Sequence, residues 1–76
     1  MKALLALIVK KMVDNPDQVK VDEIESSQTI VLEIAVAKED LGKIIGLKGR
    51  NINAIRTIME GVSGKGRKRV VINIVE

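Results

Sequence analysis

The chain has 76 residues, with 13 Lys and Arg against 10 Asp and Glu, a formal net charge of +3, and no cysteine, histidine or aromatic residue. That length allows one small domain with a marginal core, and the missing residue types exclude disulfides, thiolate or imidazole metal sites and every Ser-His or Cys-His catalytic arrangement. Nothing in the composition calls for a cofactor, an enzyme is disfavoured, and without Phe, Tyr or Trp no aromatic platform exists on which a base would stack.

Ala3 to about Asp14 has helical spacing, with Leu4, Leu5, Ile8, Val9, Met12 and Val13 on one broad side and Lys10, Lys11 and Asp14 opposite. The apolar run stops at Lys10-Lys11 with no small-residue cleavage site after it, so it reads as a helix and not a signal peptide, and it is too short to span a membrane. Asn15-Pro16-Asp17 ends it. Val19 to Glu25 alternates weakly, as an edge strand does, and Ser26-Ser27-Gln28 turns the chain into Thr29 to Ala37, where Ile30, Leu32, Ile34 and Val36 share a face. Lys38-Glu39-Asp40 opens a short helix, its acids near the positive end of the dipole, and carries Leu41, Ile44 and Ile45 inward. After Gly46-Leu47-Lys48-Gly49, a second helix runs from about Arg50 to Val62 with a stripe of Ile52, Ile55, Ile58, Met59 and Val62. Ser63 to Arg69 is a basic, glycine-containing turn, and Val70 to Val75 is a final strand with Val70, Ile72 and Ile74 on one side. The order αββααβ predicts an α+β fold in which a three-stranded mixed sheet carries its helices on one face. The first two strands pair antiparallel, and the second and third run parallel through a right-handed crossover.

The segment Ile44-Ile45-Gly46-Leu47-Lys48-Gly49-Arg50-Asn51-Ile52 holds the strongest functional signal. Two glycines three apart turn the main chain sharply and let a ligand approach closely, and the second opens a helix whose free N–H groups and dipole favour an anion. Charge concentrates in the same half: residues 1–40 carry five cations against eight anions, whereas residues 41–69 carry eight cations against Glu60 alone. Alone, the glycine pattern is a common helix connector; beside those cations it suits a nucleic-acid backbone. Gly61-Val62-Ser63-Gly64-Lys65-Gly66 is superficially similar to a P-loop, but its glycines are too close and Gly66 stands where Ser or Thr would hold magnesium. Glu39 and Asp40 read better as helix-start acids than as a catalytic pair. Arg67-Lys68-Arg69 reads first as a solvated turn.

The nine-residue segment resembles the signature of the KH domain, and αββααβ is the order of its type II form. Val13-Asp14-Asn15-Pro16-Asp17, Asp40-Leu41-Gly42-Lys43 and Ala54-Ile55-Arg56-Thr57 extend the resemblance over residues 1–76, as a single KH domain similar to the small stand-alone bacterial proteins of the KhpA type. The resemblance implies a cytoplasmic, non-catalytic protein that binds single-stranded RNA, forms homodimers, pairs with a larger multidomain KH protein of the KhpB, Jag or EloR type, and acts in post-transcriptional regulation, as an RNA chaperone or in cell shape. Carried over residue by residue, Gly46, Leu47, Lys48 and Gly49 meet phosphates through their backbone, Lys48 and Arg50 add charge, Ile45 and Ile52 floor a groove, and Lys43 and Arg56 flank it. The chain departs from relatives that place the cation directly after the first glycine, since Leu47 stands there and Lys48 follows. Two other readings remain open: a KH-fold adaptor acting through a protein partner with weak RNA contact, and a helix-turn-helix DNA binder. The apolar sector of the first helix spans ~200° where a core stripe needs ~100°, and Leu7 lies outside it, so self-association is expected. The Ile52 and Met59 edge is the favoured contact and the first helix the alternative.

Overall fold

A short polar turn sets the register of the whole sheet. In the computed structural model, which describes residues 1–64 and 68–75, the Ser26 hydroxyl accepts from the Thr29 N–H at 3.1 Å while the Ser26 N–H donates to the Thr29 carbonyl at 2.8 Å. This closes an antiparallel hairpin of β1 (Lys20–Glu25) and β2 (Thr29–Ala35), with Val21 opposite Ile34 and Ile24 opposite Val31. Strand β3 (Arg69–Val75) lies parallel to β2 and places Val70 beside Ile30 and Ile72 beside Leu32. The order is β1-β2-β3, so β1 and β3 are both edges. Period-2 alternation sends one face of β2 inward, and Ile30, Leu32 and Ile34 are all buried there.

The chain order is α1 (Lys2–Met12), β1, β2, α2 (Leu41–Ile45), α3 (Arg50–Ser63), β3, the αββααβ expected from the sequence. Helix α1 sends Leu5 and Val9 into the core, α2 sends Ile44, and α3 sends Ile52, Ile55 and Met59 against the inner side of the sheet. The first amide of α1 is satisfied from the sheet, since the Lys2 N–H donates to Glu23 Oε1 at 3.2 Å. At the hairpin end of the sheet, Lys68, just before β3, pairs across β2 with Glu25 at the end of β1.

Several boundaries differ from the sequence reading for identifiable reasons. Helix α1 ends at Met12 and not near Asp14, because Val13 turns extended and the next two N–H groups bond to Asp40. Pro16–Gln18 and Lys38–Asp40 are single 3₁₀ turns, so Lys38-Glu39-Asp40 precedes α2 and does not open it. Two expectations are overturned, the first at Ile45, expected to point inward from α2 but 40% exposed because α2 ends there and turns only Ile44 to the core. Ile52 and Met59, assigned to the margin of the α3 stripe as a dimer contact, are buried in the core, whereas Ile58 and Val62 are 48% and 50% exposed. The helix rolls so that the row Ile52, Ile55, Met59 faces the sheet, and the residues one step away fall on the rim. Lys65, Gly66 and Arg67 of the expected basic turn, and Glu76, lie outside the described residues.

Candidate nucleic-acid interface

Five residues make α2, too few to hold a helix by propensity, so its ends are fixed from outside. At its start the Asp40 carboxylate, fully buried, accepts from the Asp14 N–H at 3.3 Å, the Asn15 N–H at 3.1 Å and Asn15 Nδ2 at 3.0 Å. Burial raises the Asp40 pKa, but the Asn15 side-chain amide, the Asp14 and Asn15 N–H groups and the Lys43 charge together outweigh it and leave the carboxyl below its ordinary range. Lys43 Nζ sits 3.1 Å from Asp14 and 3.6 Å from Asp40. Its bond to Asp14 and the field of the two carboxylates raise its pKa. The helix-start acids of the sequence reading thus have different duties: Glu39 is exposed, and Asp40 ties the end of α1 to the start of α2.

Helix α2 ends in the glycine turn. The Gly46 N–H donates back to the Gly42 carbonyl at 2.8 Å, and Gly46 itself has φ 75° and ψ 171°, a conformation essentially reserved for glycine. A Cβ there would lie 2.6 Å from Asn51 Cγ and 2.9 Å from the Asn51 nitrogen. Leu47–Gly49 form one 3₁₀ turn in which Lys48 takes left-handed angles, φ 57° and ψ 26°, and Gly49 follows at φ 76° and ψ 16° as the N-cap of α3. Lys48 is the only non-glycine residue with positive φ among those described, a local strain of about 1–2 kcal/mol. The Gly49 N–H donates to the Gly46 carbonyl at 3.1 Å and the Arg50 N–H to the Leu47 carbonyl. None of these backbone bonds uses the amides of Leu47 or Lys48. A right-handed residue followed by a left-handed one points successive N–H groups into a shared concavity that accepts an anion, here at the positive end of a 14-residue helix.

The other sequence-nominated residues fall around this turn in distinct ways. Leu47 is 75% exposed, Lys48 and Arg50 are exposed beside it, and Ile45 is 40% exposed at the end of α2. Ile52 is in the core, beneath the turn. Lys43 is on the same helix as Ile45, with its ammonium engaged by Asp14 and Asp40. Arg56 is two turns into α3 and reaches across to the sheet, donating from Nη1 to Asn53 Oδ1 at 3.3 Å and from Nη2 to the Ile72 carbonyl at 3.5 Å. A polar cleft of about 330 Å³ opens there between α3 and the unpaired edge of β3, lined by Arg56, Glu60, Arg69 and the backbone from Val70 to Asn73. The sequence places Arg69 in a basic turn that reads first as solvated and second as an RNA contact, and it does not single out Asn73 or this strand edge. The parallel pairing of β3 with β2 contained the signal, because it leaves the other side of β3 free.

An αββααβ chain whose central helices are joined by a Gly-x-x-Gly turn is a KH-type domain. The chain belongs to the KhpA/KhpB KH-domain family, whose model matches residues 2–74. It is 49% identical to the RNA-binding protein KhpA of Clostridium acetobutylicum, over 99% of this chain and 100% of that one. It is 46% identical to the protein of that name from Chlamydia pneumoniae, over 100% of this chain and 97% of the relative, and 45% identical to that from Aquifex aeolicus, over 100% and 96%. These relatives are named for RNA binding, not for an enzymatic activity. No solved structure matches the chain. Among the described residues no helix is long and apolar enough to cross a membrane.

Proposed function

We propose that this chain is a non-catalytic binder of single-stranded RNA that grips the backbone with Gly46 to Gly49. The observation that carries this reading is the pair of unengaged amides at Leu47 and Lys48, held by a right-to-left-handed turn at the start of α3. Lys48 and Arg50 supply charge beside the phosphate path, the exposed flank of Ile45 offers an aliphatic surface to a base, and Ile52 supports the turn from the core. Lys43 borders the groove with its main chain and paired ammonium. Arg56 and the open β3 edge form the opposite wall, where strand-edge groups other than the Ile72 carbonyl, which Arg56 occupies, would meet base edges. The family's relatives named as RNA-binding proteins support the same reading. Titrating single-stranded RNA, single-stranded DNA and duplex DNA side by side tests it. RNA is expected to bind tightest, with a slope of log affinity on log salt of about −1.5 to −3 for two to four neutralised phosphates at about −0.7 each. A flat salt response, or preference for duplex DNA, would defeat the backbone clamp. A helix-turn-helix reading is already disfavoured by α2, whose five residues are too few to cross a DNA backbone.

The proposed assembly is a homodimer, whose contact follows from the roll of α3. Leu7 is 54% exposed on α1, and Ile58 and Val62 stand out from α3, with Val62, Met1 and Ile30 lining an apolar cleft of about 210 Å³. Twofold pairing would cover this apolar rim and place two RNA grooves in one particle. A larger KH-domain protein of the KhpB type is the alternative occupant of the same rim. That occupant favours the second functional reading, an adaptor with weak RNA contact. Sedimentation equilibrium at micromolar concentration is expected to show a dimer that Val62→Lys weakens at least tenfold. A monomeric wild type would sink the homodimer, and a dimer sensitive only to Leu7→Lys would move the contact to α1.

A further inference from the structure

We infer that Asn51 is a positioning residue for the RNA-binding turn, holding Gly46 to Gly49 in shape before any ligand arrives. The inference rests on the RNA reading above and concerns how that site is kept ready. Asn51 is in the first turn of α3, and its Nδ2 donates to the Lys43 carbonyl at 2.8 Å, bridging from the helix after the glycine turn to the helix before it. Its Cγ and main-chain nitrogen lie 2.6 and 2.9 Å from the place where a Gly46 Cβ would stand, so the residue that bonds across the turn also occupies the space any side chain at its first position would need.

Lys43 is thereby held at both ends. Its carbonyl is fixed by Asn51, and its ammonium is 3.1 Å from Asp14 and 3.6 Å from Asp40, whose carboxylate in turn accepts from the Asp14 and Asn15 N–H groups. A continuous relay therefore runs from the end of α1, through Asp40 and Lys43, to Asn51 and the turn. The five residues of α2 cannot supply this rigidity alone, and Lys48 in a left-handed conformation relaxes unless its surroundings hold it. Asn51 acts on RNA through the turn and not by contact. Its amide is engaged with Lys43, and the phosphate concavity is built from the backbone of Leu47 and Lys48.

The test uses the full chain without and with a single-stranded RNA oligonucleotide. Asn51→Leu keeps the branched shape but removes the donor, Asn51→Ala removes both, and Asn51→Gln returns a donor on a longer arm. The Gly46 N–H, bonded back to the Gly42 carbonyl of α2, and the Gly49 N–H, bonded to the Gly46 carbonyl, are the reporters for hydrogen exchange in the RNA-free protein. Asn51→Leu and Asn51→Ala are expected to speed their exchange roughly fivefold and to weaken RNA binding by a similar factor, as loss of one hydrogen bond implies, with the melting temperature lowered by about 5 °C and the salt slope little changed. Asn51→Gln is expected to recover part of both. Wild-type exchange in Asn51→Leu would overturn the role of the hydrogen bond. Weakened RNA binding with unchanged exchange would make Asn51 a direct RNA contact and overturn positioning. A wild type that binds no RNA removes the clamp reading and this inference with it, while faster glycine exchange in Asn51→Leu would still register the relay as a property of the fold.

Discussion

Replacing Leu47 and Lys48 together with Asp is expected to lower RNA affinity about 100-fold or more while the melting temperature moves by only a few degrees. The fold tolerates the change because Leu47 is 75% exposed and contributes nothing to the core. Lys48 is already left-handed at φ 57°, a region that Asp enters more readily than Lys. The RNA cost follows from position. Two carboxylates would stand over the concavity formed by their own amides, where phosphates are proposed to sit, and like charges so placed cost several kcal/mol. Circular dichroism and thermal melting establish that the variant is folded. A folded variant that binds RNA as well as the wild type would remove the clamp from these four residues and point instead to the β3 edge.

The turn was legible in the sequence because its chemistry is local: two glycines, the cations near them and apolar positions on either side all lie within nine residues. Strand alternation in Ile30, Leu32 and Ile34 and the helical stripe from Ile52 to Met59 likewise depend only on near neighbours, so element order and sheet topology emerged correctly. What stayed hidden depends on how elements roll and meet. A stripe of five apolar residues on α3 names a face without naming its centre. Contact with the sheet decided that Met59 is buried and Val62 is on the rim. Asp40 bonds to residues 25 and 26 positions earlier, a proximity no spacing rule supplies, and from sequence its carboxylate was indistinguishable from that of an ordinary helix-start acid. Lys43 was nominated for its charge. The structure adds that this charge is answered by two carboxylates, which makes the backbone at Lys43 the part most directly tied to the turn.

The two glycines of the turn look equivalent in sequence, and their replacement by Ala is expected to separate them sharply. At Gly49 the angles φ 76° and ψ 16° are ordinary left-handed values, and an added Cβ meets nothing closer than Asn53 Nδ2 and an Ile52 methyl at 3.8 Å. Gly49→Ala should therefore cost about 1–2 kcal/mol of backbone strain. For a domain of this size that corresponds to a fall of roughly 5–10 °C in melting temperature. At Gly46 two penalties coincide. The angles φ 75° and ψ 171° fall in a region essentially closed to residues with a Cβ, at about 1–3 kcal/mol. The new methyl would also lie 2.6 Å from Asn51 Cγ and 2.9 Å from its main-chain nitrogen, adding about 1–3 kcal/mol of overpacking. The Asn51 side chain can swing away only by giving up its bond to the Lys43 carbonyl, and the main-chain nitrogen is fixed by α3. Gly46→Ala should accordingly lose roughly 15 °C or more, and any folded fraction in the cold should bind RNA poorly because the turn has shifted. Thermal unfolding of the two variants under one set of conditions measures the difference directly. Equal losses would mean that the turn relaxes around Gly46 and that neither its angles nor its contact with Asn51 constrains the site.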